Sequence, residues 1–193
     1  MRCHRSFLVV AAVLVLAVAV ARQVDPPAPD RASRTGGPVA VGVGRVLAVL
    51  DGDTLTVRLP DYEGPVRVVG IDTPEVEHPG RPAGCFGEQA AAATAAWLAD
   101  RLVRVEPALQ QRDRYDRLLA RVEPLDGPIA GRDLARTLAL SGFARELPIA
   151  PNTQDAPRIA ADVRVARRHG RGLWTACGFA AAFPGKQDAA DGR

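Results

Sequence analysis

The chain has 193 residues, 47% of them hydrophobic and 24% charged, enough to bury one proper core as a single domain with tails. The formal charge of +3 falls to +1 without Arg2 and Arg5 of the N-terminal segment, and a net charge so near zero gives little long-range steering of nucleic acid. Affinity for phosphate must then come from local patches. Lys186 is the only lysine, so nearly every cation is an arginine, which suits bidentate phosphate chemistry and equally a GC-rich coding bias.

Residues 1–21 read as an export signal. Arg2, His4 and Arg5 form the charged start, Phe7 to Val18 the apolar stretch, and Ala19-Val20-Ala21 a small-x-small cleavage site. The stretch is short for a membrane span; left uncleaved, it would anchor the protein to the outer face of the cell membrane, and cleaved it makes the protein secreted. Residues 22–40, with prolines, aspartates and glycines, read as a disordered spacer, and residues 179–193 as a flexible tail. The folded unit expected is residues 41–178.

Within it, Val43 to Leu50 is a β-branched apolar run, Asp51-Gly52 a hairpin-turn dipeptide, and Thr54 to Leu59 an alternating strand. Pro60 to Gly64 makes a second turn before a third strand, Pro65 to Ile71, so three consecutive antiparallel strands are expected. Asp51-Gly52-Asp53-Thr54 reads as a turn, or as part of a metal site if it folds Asp53 beside Asp72, because paired oxygen ligands suit Ca²⁺ or Mg²⁺.

Arg67-Val68-Val69-Gly70-Ile71-Asp72-Thr73-Pro74-Glu75 places an arginine at one end of an apolar run and two carboxylates at the other. In a continuous strand Arg67, Val69 and Ile71 share a face, and Pro74 stops the strand. A guanidinium, a carboxylate that can seat a cation and a second, freer carboxylate are the parts that phosphodiester cleavage needs. Val76 to Phe86 reads as a mobile loop in which His78 is a surface residue.

Gly87 to Leu102 is an alanine-rich helix with Trp97, Leu98 and Leu102 toward a core. Val103 to Glu106 is a short strand, Gln110 to Tyr115 a polar crossing, and Asp116 to Val122 a fifth strand carrying Arg117. Helices follow over Ile129 to Gly142 and Asp155 to Arg168. Three hairpin-linked strands, a helix and two more strands match an α+β fold, a five-stranded OB-fold barrel with three helices.

Asp51-Gly52-Asp53-Thr54, Arg67 to Glu75, Asp113-Arg114-Tyr115-Asp116-Arg117 and Gly172-Leu173-Trp174, in this order, resemble the staphylococcal nuclease (thermonuclease) family over residues 41–177. The resemblance implies a calcium-dependent nuclease that hydrolyses DNA and RNA with little sequence preference and leaves 3′-phosphate ends. Asp53 and Asp72 match the calcium carboxylates, Thr73 the position supplying a backbone oxygen, and Glu75 the general base. Arg67 and Arg117 match the phosphate-holding arginines, while Arg114 and Tyr115 match residues near a terminal phosphate. No protein partner is implied, and a monomer is expected. The alternatives are a nuclease-like module that binds nucleic acid without cutting it, and an OB-fold module for a protein or saccharide ligand. The first has no need of Glu75, and the second leaves all five charges unexplained.

Two positions depart from the family pattern. Leu147, Pro148 and Ile149 stand in the stretch where its best-known member has base-flanking tyrosines, and Asp116 stands where glycine is usual. Aspartate tolerates the positive φ that such a turn uses. Its charge beside the phosphate clamp is expected to hinder substrate mildly.

Cys3 leaves with the signal, so Cys85 and Cys177 remain as an even pair in an oxidising compartment and predict a disulfide. The rival reading, a thiol nucleophile, has no histidine placed in a motif that would activate it.

Overall fold

The computed structural model describes residues 37–79, 82–177 and 179–184; the export signal and most of the spacer lie outside them. Its centre is a closed barrel in the order β1-β2-β3-β6-β5. β1 (Gly42–Val49), β2 (Thr54–Leu59) and β3 (Tyr62–Val68) form the expected antiparallel meander, and β5 (Leu102–Arg112) pairs with both β1 and β6 (Leu118–Pro124). Parallel pairing of β3 with β6 closes the wall. Inward side chains follow the two-residue period of the strands: Leu55, Val57, Val66, Val68, Val103, Val105, Leu118, Ala120 and Val122 are all buried.

The helices cover the barrel with one apolar side each. α1 (Gly87–Leu98) buries Ala90 and Leu98. α2 (Leu134–Ser141) starts on Asp133, whose carboxylate accepts from the Arg136 N–H at 3.0 Å, and stops at Gly142 with φ 80°. α3 (Ala156–Arg168) buries Ile159 and Val163 at the four-residue spacing of one helix face. β4 (Gly70–Asp72) and β7 (Arg145–Leu147) make a separate two-stranded ribbon, and α4 (Leu173–Ala176) and α5 (Phe179–Ala182) are the last elements among the described residues.

Several boundaries differ from the sequence reading. α1 stops at Leu98, and Leu102, expected on that helix and toward the core, opens β5 with its side chain exposed, because the chain turns through Ala99 to Arg101 into the strand pairing of β5. β3 begins at Tyr62, inside the expected turn, because Tyr62 pairs with Leu59. The third strand does not run through to Ile71: β3 ends at Val68, Gly70 takes φ +84°, and the chain restarts as β4. Ile71 is therefore buried together with Val66 and Val68, and does not share a face with Arg67. β5 extends to Arg112, past Pro107, because its pairing with β6 shifts register between Pro107 and Arg112 and accommodates the missing N–H. α2 begins at Leu134 instead of Ile129, behind its Asp133 cap.

A further difference concerns the two ends of the folded unit. Phe179 to Ala182, assigned from sequence to a flexible tail, is helical, and Phe183 is only 1% exposed. Val39, in the stretch read as spacer, is tied down by Gln111, whose side chain accepts from the Val39 N–H at 2.7 Å and donates to its carbonyl at 3.1 Å.

Candidate active site

The turn after β1 brings the first carboxylate in. The Asp51 side chain accepts from the Asp53 N–H at 2.9 Å, an Asx turn that fixes the chain before β2. Gly52 is required by close approach, since a Cβ there would sit 2.8 Å from the Thr73 methyl and 2.9 Å from the Ala90 Cβ. Asp53 is then buried against the start of the next segment, accepting from the Thr73 N–H at 2.8 Å and from the Thr54 hydroxyl at 3.3 Å.

Asp72 arrives from β4 and is equally buried. Arg67 links the two carboxylates: its Nη1 pairs with Asp53 Oδ1 and its Nη2 lies 3.3 Å from Asp72 Oδ1. Burial pushes the Arg67 guanidinium down from its ordinary value, opposed by the charges of Asp72 and Asp51. Asp51 itself is pushed up by burial, against the pull of Arg67.

Two buried carboxylates converging on one cation form an oxygen-only donor pair that fits a hard divalent ion. The described residues contain no group of three or more His, Cys, Asp or Glu side chains that could hold a metal.

Arg117 reaches the same place from the loop between β5 and β6. Asp113 holds it by accepting from the Arg117 Nε at 2.7 Å and from its backbone N–H at 3.0 Å, and it also accepts from the Tyr115 N–H at 2.9 Å. Burial raises the Asp113 carboxyl, but these hydrogen bonds together outweigh it and the net direction is down. Arg117 Nη1 lies 3.5 Å from the Thr54 hydroxyl, which links the arginine to Asp53. The guanidiniums of Arg114 and Arg117 stand 4.6 and 5.5 Å from the centre of the Tyr115 ring.

Glu75 opens onto a cleft of about 710 Å³ shared with Arg67, Asp72, Arg114, Tyr115 and Arg117. Its backbone is clamped: its carbonyl accepts from the Gly84 N–H at 2.9 Å, and a Cβ on Gly87 would run into that same oxygen. Next to Gly84, Cys85 is bonded to Cys177 with Cα atoms 5.9 Å apart, and its N–H donates to the Ala181 carbonyl at 2.8 Å. Ala182, Phe183 and Pro184 form the far wall of the cleft.

A second cleft of about 390 Å³ lies on the other side of Arg67 and Arg117, with Leu147 and Ile149 in its lining. Aliphatic side chains thus stand where base-flanking rings were missed in the sequence. Asp116 has φ 61°, the conformation expected of a glycine replacement. Its carboxylate is 83% exposed and lies 3.8 Å from Arg112, so water and that partner screen its charge.

Every residue selected from the sequence, Asp53, Arg67, Asp72, Thr73, Glu75, Arg114, Tyr115 and Arg117, falls in this one region. The sequence reading missed Arg145, whose Nε donates to Asp72 Oδ2 at 2.9 Å, and Thr54 as the link between Asp53 and Arg117.

Barrel and site together make an OB-fold that gathers Arg67, Arg117, Glu75 and the buried Asp53–Asp72 pair at one end. The chain matches the staphylococcal nuclease homologue family over residues 65–176. It is 32% identical to the thermonuclease of Staphylococcus hyicus over 132 residues, 68% of this chain and 75% of that protein. It is 35% identical to the thermonuclease of Staphylococcus intermedius over 95 residues, 47% of this chain and 56% of that one. With the endonuclease YncB of Bacillus subtilis it shares 28% identity over 132 residues, 67% of this chain and 60% of that protein. The chain belongs to the staphylococcal nuclease family.

Proposed function

We propose that this protein is an exported, calcium-dependent nuclease that hydrolyses DNA and RNA with little sequence preference, leaving 3′-phosphate ends. The observation that carries this reading is the convergence of Arg67, Arg117 and Glu75 on a buried pair of carboxylates in one open cleft. A module that only binds nucleic acid would need the arginines and not Glu75.

In this reading Arg67 and Arg117 fork onto the scissile phosphate, where charge gathers on the equatorial oxygens as the transition state forms. Arg67 must turn from the carboxylates toward substrate, which frees Asp53 and Asp72 to hold the ion. A Ca²⁺ bound by those carboxylates would add Lewis-acid stabilisation of that charge. Glu75 takes a proton from the attacking water. Arg114 and Tyr115, on the rim, bind a neighbouring phosphate. Residues 1–21 and the Cys85–Cys177 bridge support export into an oxidising compartment.

The test is digestion of plasmid DNA and of RNA with Ca²⁺ and with excess EGTA. Cleavage with Ca²⁺ that EGTA abolishes is expected, and Glu75→Gln should lower kcat by about 10²–10⁴ while nucleic acid still binds. Undiminished cleavage in EGTA, or a Glu75→Gln variant within a few-fold of wild type, would reject the assignment.

A further inference from the structure

Arg67 and Arg145 both contact Asp72, but they differ in what they are free to do. Arg67 lines both clefts, so substrate can draw it away from the carboxylates. Arg145 is not among the residues lining either cleft. It stands directly opposite Asp72 in the β4–β7 ribbon, and its side chain is only 12% exposed. Its guanidinium also rests 5.5 Å from the Phe179 ring centre and 5.0 Å from that of Phe183, on the C-terminal segment that follows Cys177. Strand register on one side and two aromatic rings on the other hold this cation on Asp72 whatever the substrate does.

We infer that Arg145 sets the strength of the cation seat: its permanent charge weakens divalent-ion binding by Asp53 and Asp72 in the absence of nucleic acid. This rests on the reading of those two carboxylates as the seat. With Nε on Oδ2, Arg145 offsets part of the charge of Asp72 and stays there after Arg67, which holds Oδ1, has turned to substrate. A divalent ion beside the pair feels twice the repulsion that a monovalent one would, and burial strengthens it. The anionic phosphate of a substrate supplies the missing negative charge, so the ion is held firmly only when there is something to cut. Loading therefore becomes linked to substrate, as two ligands of opposite sign at adjacent positions must be.

The experiment is calorimetric titration of Ca²⁺ into the metal-free full-length protein at low ionic strength, with no nucleic acid present. Arg145→Gln removes the charge and is expected to bind Ca²⁺ about tenfold more tightly. Arg145→Lys keeps the charge and should stay within about twofold of wild type. A residue that only supported the fold would give equal or weaker binding in Arg145→Gln, and that result overturns the inference. Asp53→Asn combined with Arg145→Gln separates this failure from that of the underlying reading: if the double variant takes up Ca²⁺ as tightly as Arg145→Gln alone, the seat itself is wrong and the inference falls with it. The Ca²⁺-induced rise in Tm gives the same ranking, so a variant destabilised by the change still reports.

Discussion

Asp113 shows how one carboxylate can serve both stability and chemistry. It accepts from the Arg117 side chain and from two backbone N–H groups, and the side chain is 17% exposed. The folded protein holds this carboxyl below its unfolded value, so its stabilising contribution is fully present above the ordinary aspartate range and is lost as pH falls through the lowered folded value. Thermal melts of wild type and Asp113→Asn should differ near neutral pH and converge in strong acid. Because the same contacts aim Arg117, Asp113→Asn should also lower kcat/KM by roughly tenfold, the effect of losing a charge-assisted hydrogen bond. Steady-state kinetics at neutral pH checks it.

Among the elements, the start of α1 matters most to the base. Gly87 lies against the Glu75 carbonyl so closely that a methyl cannot enter without moving one of them. In the proposed mechanism Gly87→Ala displaces Glu75 and should reduce kcat by up to about 10²-fold, the cost of small misplacements at a reacting centre, while Ca²⁺ affinity, assigned there to Asp53 and Asp72, should stay near wild type. Kinetics paired with a Ca²⁺ titration distinguishes this from general unfolding.

This scale also explains what could be read in advance. Arg67, Asp72 and Glu75 were legible because one short motif holds residue types that carry their own chemistry, whereas Asp53 and Arg117 were assigned by the resemblance of their motifs to the nuclease family. Arg145 was not, since it meets Asp72 only through a ribbon created by the break at Gly70, and local alternation predicts an unbroken strand there. Pro107 hid the second half of β5 in the same way. Phe179 and Phe183, four apart in an apolar stretch, were an available sign of a packed helical turn at the C-terminal end.

At the scale of the molecule, the Cys85–Cys177 bridge spans 92 residues of sequence. In the chain-entropy picture, closing a loop of that size stabilises by about 4–5 kcal/mol. A reductant should therefore lower Tm by several degrees or more without abolishing cleavage at moderate temperature, because the barrel strands that set Arg67 and the turns carrying Asp53 and Arg117 do not contain either cysteine. Two free thiols counted in the native protein would contradict the pairing.

Barrel closure has a kinetic consequence. The wall is sealed only when Gly42 to Arg45 pairs with Leu102 to Val105, and Val39 with Gln111, 72 positions later in the chain. Most of the loop-closure entropy must be spent before those pairings return any stability. Stopped-flow refolding from denaturant should accordingly fall in the millisecond-to-second range typical of barrels rich in distant pairings, well short of the microseconds available to helical bundles. Until the seam closes, β1 presents an unpaired edge with Val43 outside, and that interval is when a nascent or refolding chain is most exposed to pairing with another copy of itself.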